Sequence, residues 1–160
     1  MSTRNIDWKT LETRLNTWLK EIALKCNLHY RGSNESIYGT PNDCFKSDGM
    51  ITDGEIMIAI EIERGQYHPD TNVGKYWFIY DRLYRYKKMI LIHVYTPLYE
   101  SFPWRKELAS FYASKMINYG NPLEYVELDY RNKTVDSNTV FNEITKLIER
   151  YLTAYKMCKH

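Results

Sequence analysis

The chain has 160 residues, about the length of one domain, with 22 Lys and Arg against 20 Asp and Glu, so its net charge is +2. A balance this close to neutral neither demands nor excludes a nucleic-acid partner. A hydrophobic content of 44% excludes a disordered chain, and no apolar run reaches the roughly 18–20 residues of a membrane span. The start, MSTRNIDWKT, shows no apolar leader, and three cysteines (Cys26, Cys44, Cys158) are odd in number and widely spaced. They predict neither a disulfide framework nor a zinc site. The expectation is an intracellular, cytoplasmic protein with no membrane contact, folded as a single domain over 1–160.

In chain order, apolar residues at helical spacing (Ile6, Leu11, Leu15, Trp18, Leu19, Ile22) predict a helix over about 5–25. Residues 31–36 read as a loop, 37–39 as a short strand and 40–43 as a turn. Met50-Ile51 is a short apolar strand. Asp53-Gly54 is a two-residue hairpin signal, and the Ile-rich run 56–63 is the return strand. Thr71 or Asn72 can cap a helix reaching about Tyr86. KMILIHVY (88–95) is a second near-continuous apolar strand, a pattern typical of central strands covered on both faces. A helix over 104–119, a strand over 123–129 and a helix over about 139–155 complete the chain. A hairpin passing into βαβ units predicts an α/β fold, a mixed central sheet with helices on both faces.

Glu61 and Glu63 lie two apart on the Ile-rich strand, so their side chains share a face. Two carboxylates buried together repel each other and lose hydration, so something positive should sit between them. With a two-residue turn at Asp53-Gly54, Thr52 pairs with Glu55 and Asp48 lies opposite Ala59. Asp48 is then a diagonal neighbour of Glu61, about 7–8 Å away between Cα atoms. Three carboxylates around one point make a hard-oxygen site suited to Mg²⁺ or Mn²⁺, with the backbone carbonyl of Ile62 as a further ligand. The alternative is an edge strand with solvated glutamates, or pairing of both with Lys or Arg from a neighbouring helix.

Ser47-Asp-Gly-Met-Ile51, the Asp53-Gly54 turn and Ile58-Ala-Ile-Glu-Ile-Glu63 together resemble the PD-(D/E)XK nuclease superfamily, with its restriction-endonuclease-like core. Asp48 matches the first acid of that pattern and Glu61 the second. Glu63 stands where the family most often has Lys, giving D…ExE, and Ser47 stands where it has Pro. The inferred order of elements resembles the family core over about 5–129, the last helix being an addition. The resemblance implies a Mg²⁺-dependent DNA endonuclease acting through a metal-activated water. Asp48 and Glu61 would be metal ligands, and Glu63 a ligand or general base. A restriction-type enzyme, a junction resolvase and a non-catalytic DNA- or protein-binding module are the roles it leaves open. A homodimer or a partner subunit would supply specificity.

Further candidates surround this cluster. Lys75 and Arg82, seven apart on one predicted helix, together with Arg85, Lys87 and Lys88, either grip phosphate or form a solvated helix face. The stretch Asn72-Val-Gly-Lys-Tyr-Trp77 resembles the start of the matching helix in some nucleases of the superfamily. Gln66 is a candidate phosphate or metal-water contact, and Glu12 a fourth acid from the first helix, with Glu21 a weaker one. His68 and His93 read as locally satisfied. Tyr67, Tyr76 and Trp77 either stack on bases or pack the core.

Overall fold

Two near-continuous apolar runs become the middle of a five-stranded sheet. The structure, a computed structural model, describes residues 6–37, 45–65, 68–99 and 104–158. Its strands are β1 (His29–Gly32), β2 (Gly49–Thr52), β3 (Ile56–Glu63), β4 (Lys88–Tyr95) and β5 (Leu123–Asp129), and they neighbour one another in chain order. β1 and β2, and β2 and β3, pair antiparallel, while β3, β4 and β5 run parallel. The fold is therefore α/β with a mixed open sheet, as the patterning implies.

Among the described residues four α-helices cover the sheet: α1 (Trp8–Cys26), α2 (Pro69–Phe78), α3 (Arg105–Asn118) and α4 (Ser137–Ala154). Strand alternation sorts them into two layers. Ile58, Ile60, Ile62, Ile90, Ile92 and Val94 point to one face and pack under α1 and α4. Met57, Ala59, Met89 and Leu91 point to the other, under α2 and α3. Both faces of the sheet are covered, which is why β3 and β4 tolerate no polar alternation over most of their length.

Several boundaries differ from the reading of the sequence. The edge strand is β1, in a stretch read partly as loop; of the short strand expected at 37–39, Ile37 lies in a bend and residues 38 and 39 fall outside those described. The helix expected to start at Thr71 or Asn72 starts at Pro69, a residue pre-organised for the first helical position, with His68 at the cap. It gives way at Ile79–Leu83 to a π-helical turn, closed by the bond from the Tyr84 amide to the Ile79 carbonyl at 2.8 Å. The β2–β3 turn is longer than two residues. Thr52 pairs with Met57, not Glu55. Asp53 Oδ1 accepts from the amides of Glu55 and Ile56 at 2.9 and 2.7 Å, and Gly54 takes φ +95°.

The cysteines carry a further correction. Cys26, at the end of α1, forms a disulfide with Cys158, beyond α4, across a sequence separation of 132 residues. Count and spacing alone concealed it, because the partners meet only after α1 and α4 pack side by side.

Candidate functional site

The face under α2 and α3 changes character along the strands. Across β3, β4 and β5 its first row is Met57, Met89 and Leu123, and its second Ala59, Leu91 and Tyr125. The third row is Glu61, His93 and Glu127, and the fourth Glu63, Tyr95 and Asp129. The face thus turns from apolar to ionisable toward the carboxyl ends of the parallel strands, where open α/β sheets place their ligands.

Asp48 joins this end from β2. Gly49 pairs with Ile60, and the Asp48 amide donates to the Ile60 carbonyl at 3.1 Å, so continuing the register sets Asp48 opposite Glu61. The slip from the expected pairing with Ala59 is two residues, which preserves the face and turns a diagonal neighbour into a direct one. α1 holds this strand end. Asn16 Nδ2 donates to the Asp48 carbonyl at 2.7 Å, and Tyr30 donates to Asn16 Oδ1 at 2.7 Å. Gly49 permits the approach: a Cβ there would lie 2.8 Å from Leu19 Cδ1 and 3.1 Å from Asn16 Oδ1.

α2 brings three side chains to the two strand glutamates, at i, i+3 and i+4. Lys75 Nζ lies 2.6 Å from Glu61 Oε1, and Tyr76 donates to the same oxygen at 2.5 Å. Lys75 is itself fixed by the Lys46 carbonyl at 2.5 Å and Asn72 Oδ1 at 3.1 Å. Asn72 Nδ2 donates to Glu63 Oε1 at 2.7 Å, and His93 Nε2 lies 2.6 Å from that oxygen. His93 Nδ1 continues to the Tyr125 hydroxyl at 2.7 Å. Glu63 Oε2 is buried and has no hydrogen-bond partner among the described residues.

Asp48 Oδ2 accepts from the Ile62 amide at 2.6 Å. Ile62 therefore meets the cluster through its N–H. Glu12 reaches from α1 to Arg64, whose guanidinium lies 2.7 Å from Glu12 Oε2 without hydrogen-bond alignment. Burial pushes the Glu61 carboxyl up to about 8, against the opposing pull of Lys75. Burial also raises Asp48, opposed first by the Ile62 amide and then by Lys75. Glu12 is raised by burial and by the Asp48 carboxylate.

The sequence candidates thus divide. Asp48, Glu61, Glu63 and Glu12 all come to one end of the sheet. Lys75 is neither part of a solvated face nor aligned with Arg82: it points inward to Glu61, while Arg82 lies in the π turn, exposed and paired with Asp81 at 2.9 Å. The alternative of pairing with a lysine from the next helix is therefore present for Glu61. Gln66 and Tyr67 lie outside the described residues. His68 occupies the N-cap position of α2 without a side-chain capping bond, and Tyr76 is buried core. Sequence reasoning missed Asn16, Arg64 and the Tyr125 limb. One signal was available: a histidine inside KMILIHVY must be buried, and a buried imidazole needs partners on both nitrogens.

The donors suit a hard cation, because all are carboxylate oxygens. Among the described residues no three His, Cys, Asp or Glu side chains are grouped so that they could hold one metal ion. Mg²⁺ does not require three. It is commonly held by one or two carboxylates with waters and substrate phosphate, and Asp48 opposite Glu61 provides two. Four carboxylates (Glu12, Asp48, Glu61, Glu63) face two permanent cations, Lys75 and Arg64. Ionising all four would leave negative charge in excess, and burial already raises Glu61, Asp48 and Glu12, so an additional cation fits the cluster in its ionised form.

The Glu63–His93 pair is wholly buried, so removing one partner exposes the cost of the other. His93→Leu should destabilise the fold by about 3 kcal/mol in urea unfolding. His93→Leu with Glu63→Met should recover most of that loss, because neither polar group is then left alone.

No family model matches the chain, and no curated protein or solved structure matches it either. Among the described residues no helix is long and apolar enough to cross a membrane.

Proposed function

We propose that this chain is a metal-dependent nuclease of the PD-(D/E)XK kind, with a restriction-endonuclease-like core, that hydrolyses phosphodiester bonds in DNA. The observation that carries the reading is Asp48 set in cross-strand register with the buried Glu61, with the Lys75 ammonium 2.6 Å from that glutamate, at the carboxyl end of β3. Asp48 and Glu61 are the residues that would hold Mg²⁺ or Mn²⁺. When bound, the metal supplies an activated water and charge neutralisation on the phosphate.

The rest is done by the chain's own groups. Lys75 brings from α2 the ammonium that position 63 lacks in D…ExE. Three oxygen acceptors hold it in place, so its charge is oriented before substrate arrives. Glu63 is anchored through Oε1 by Asn72 and His93 and is buried, so it would serve as a further metal ligand or as a general base only if the bound metal or substrate brings a water to Oε2. Arg64 borders the same strand ends and would meet a flanking phosphate, while Glu12 beside it is a further acid at the cluster.

The test is conversion of supercoiled plasmid to nicked and linear forms with Mg²⁺, with Mn²⁺ and with EDTA. Cleavage should need the metal and fall about 100- to 1,000-fold in Glu61→Ala, the loss expected when a metal ligand is removed. Absence of cleavage on plasmid, single-stranded and branched DNA in both metals would overturn the reading. A binding shift on the same DNAs would then favour a non-catalytic module.

A further inference from the structure

The solvent side of α3 carries an apolar stripe that the fold does not use. Ala109, Ala113 and Met116 turn inward to the core. Trp104, Leu108 and Phe111 recur at i, i+4 and i+7 on the opposite side, with Trp104 77% and Phe111 52% exposed. Together with Arg105 and Glu107, these three line a surface hollow. Large aromatics at such exposure on one contiguous face mark an interaction surface more often than chance placement.

The charges around the stripe say what fits it. Glu107 lies four residues before Phe111 and Lys115 four residues after it, and both lie on the stripe's side of the helix. The Lys115 ammonium lies 5.2 Å from the centre of the Phe111 ring. A two-fold axis through Phe111 that sets a second α3 antiparallel to the first brings each Glu107 against the other copy's Lys115. Leu108 then meets Ser114, and Trp104 meets Asn118. A two-fold interface must be complementary to itself, and this helix is so in its charges, which stand with opposite sign at equal distances on either side of an aromatic centre, while Trp104 and Leu108 flank the contact against Asn118 and Ser114.

We infer that α3 pairs with α3 of a second copy of this chain, antiparallel about Phe111, to form a homodimer. The inference rests on α3 alone and is independent of the nuclease reading.

Sedimentation velocity of the full chain across a concentration series tests it, with circular dichroism of each variant as the check on folding. The wild type should sediment as a dimer and Phe111→Glu as a monomer. Glu107→Lys alone and Lys115→Glu alone should each raise the dimer dissociation constant at least about tenfold, because symmetry creates two like-charge contacts. The double variant should return to the wild-type constant within about threefold, since the swap restores both pairs. A monomeric wild type, a dimer that survives Phe111→Glu, or a double variant that stays dissociated overturns the proposal.

Discussion

Replacing Glu61 by Gln should lower the proposed metal-dependent cleavage no more than Glu61→Ala does and, in the same protein, raise stability at alkaline pH. The two effects have one cause. Glu61 is buried beneath α2, and its carboxyl is held up to about 8 against an ordinary value of 4.5. In the unfolded chain the group ionises near that ordinary value. Between the two, the native state holds a proton that the unfolded state has released, so the native state is progressively disfavoured as pH rises. The contribution is fully present below about 4.5 and is lost as pH passes through about 8. The loss is on the order of 3–5 kcal/mol. Gln keeps an acceptor for Lys75 and Tyr76 and does not titrate. Urea unfolding of Glu61→Gln should therefore match the wild type in acid and exceed it above about pH 8. Equal pH profiles for the two proteins would sink this account.

The same proton bears on the proposed metal site. A divalent ion held by Glu61 must displace it, so Mg²⁺ should bind with about tenfold higher affinity per pH unit up to about 8, and the gain should vanish in Glu61→Gln. Thermal shift with and without Mg²⁺ reads this in the absence of DNA.

The physics that made parts of this molecule legible in the sequence also explains what stayed hidden. β3 and β4 are buried on both faces, and their continuous apolar runs announce them. Two glutamates on such a strand demand a cation, and Lys75 is one. The amphipathic spacing of residues 72–86 did not reveal where the helix ends. The π turn at Ile79–Leu83 re-aims the segment, so Lys75 points into the cluster while Arg82 points to solvent. β1 was missed because HYRG is exposed or half-buried throughout and has no apolar alternation to read. The β2–β3 pairing was placed two residues off because Asp53 closes a wider turn through its side chain. A two-residue slip keeps parity, so the alternation of the strand still places Asp48 on the same face as Glu61. Contacts between distant segments, such as Glu12 with Arg64 or Asn16 with Asp48, leave no local periodicity.

The disulfide is the largest of these long-range features, and removing it should lower stability by about 2–4 kcal/mol. It closes a loop spanning 132 residues of sequence, so most of the unfolded chain is constrained by it. Its position adds a native-state role. α1 and α4 cover the same sheet face, packing Leu11, Leu15 and Leu19 beside Val140, Ile144 and Ile148, and the bridge joins the end of α1 to the segment following α4. Thiol titration of the unreduced chain in denaturant should find one reactive cysteine of the three, and all three after reduction. Urea midpoints should fall on reduction, and fall equally in Cys158→Ser without reductant, where adding reductant then changes nothing more. Because Asn16 and Glu12 sit more than two turns upstream of Cys26, the acid cluster should keep its geometry in the reduced protein. Cleavage measured at a temperature where both forms are folded should therefore be the same. A reduced protein as stable as the oxidised one would show that the two cysteines do not bridge in solution.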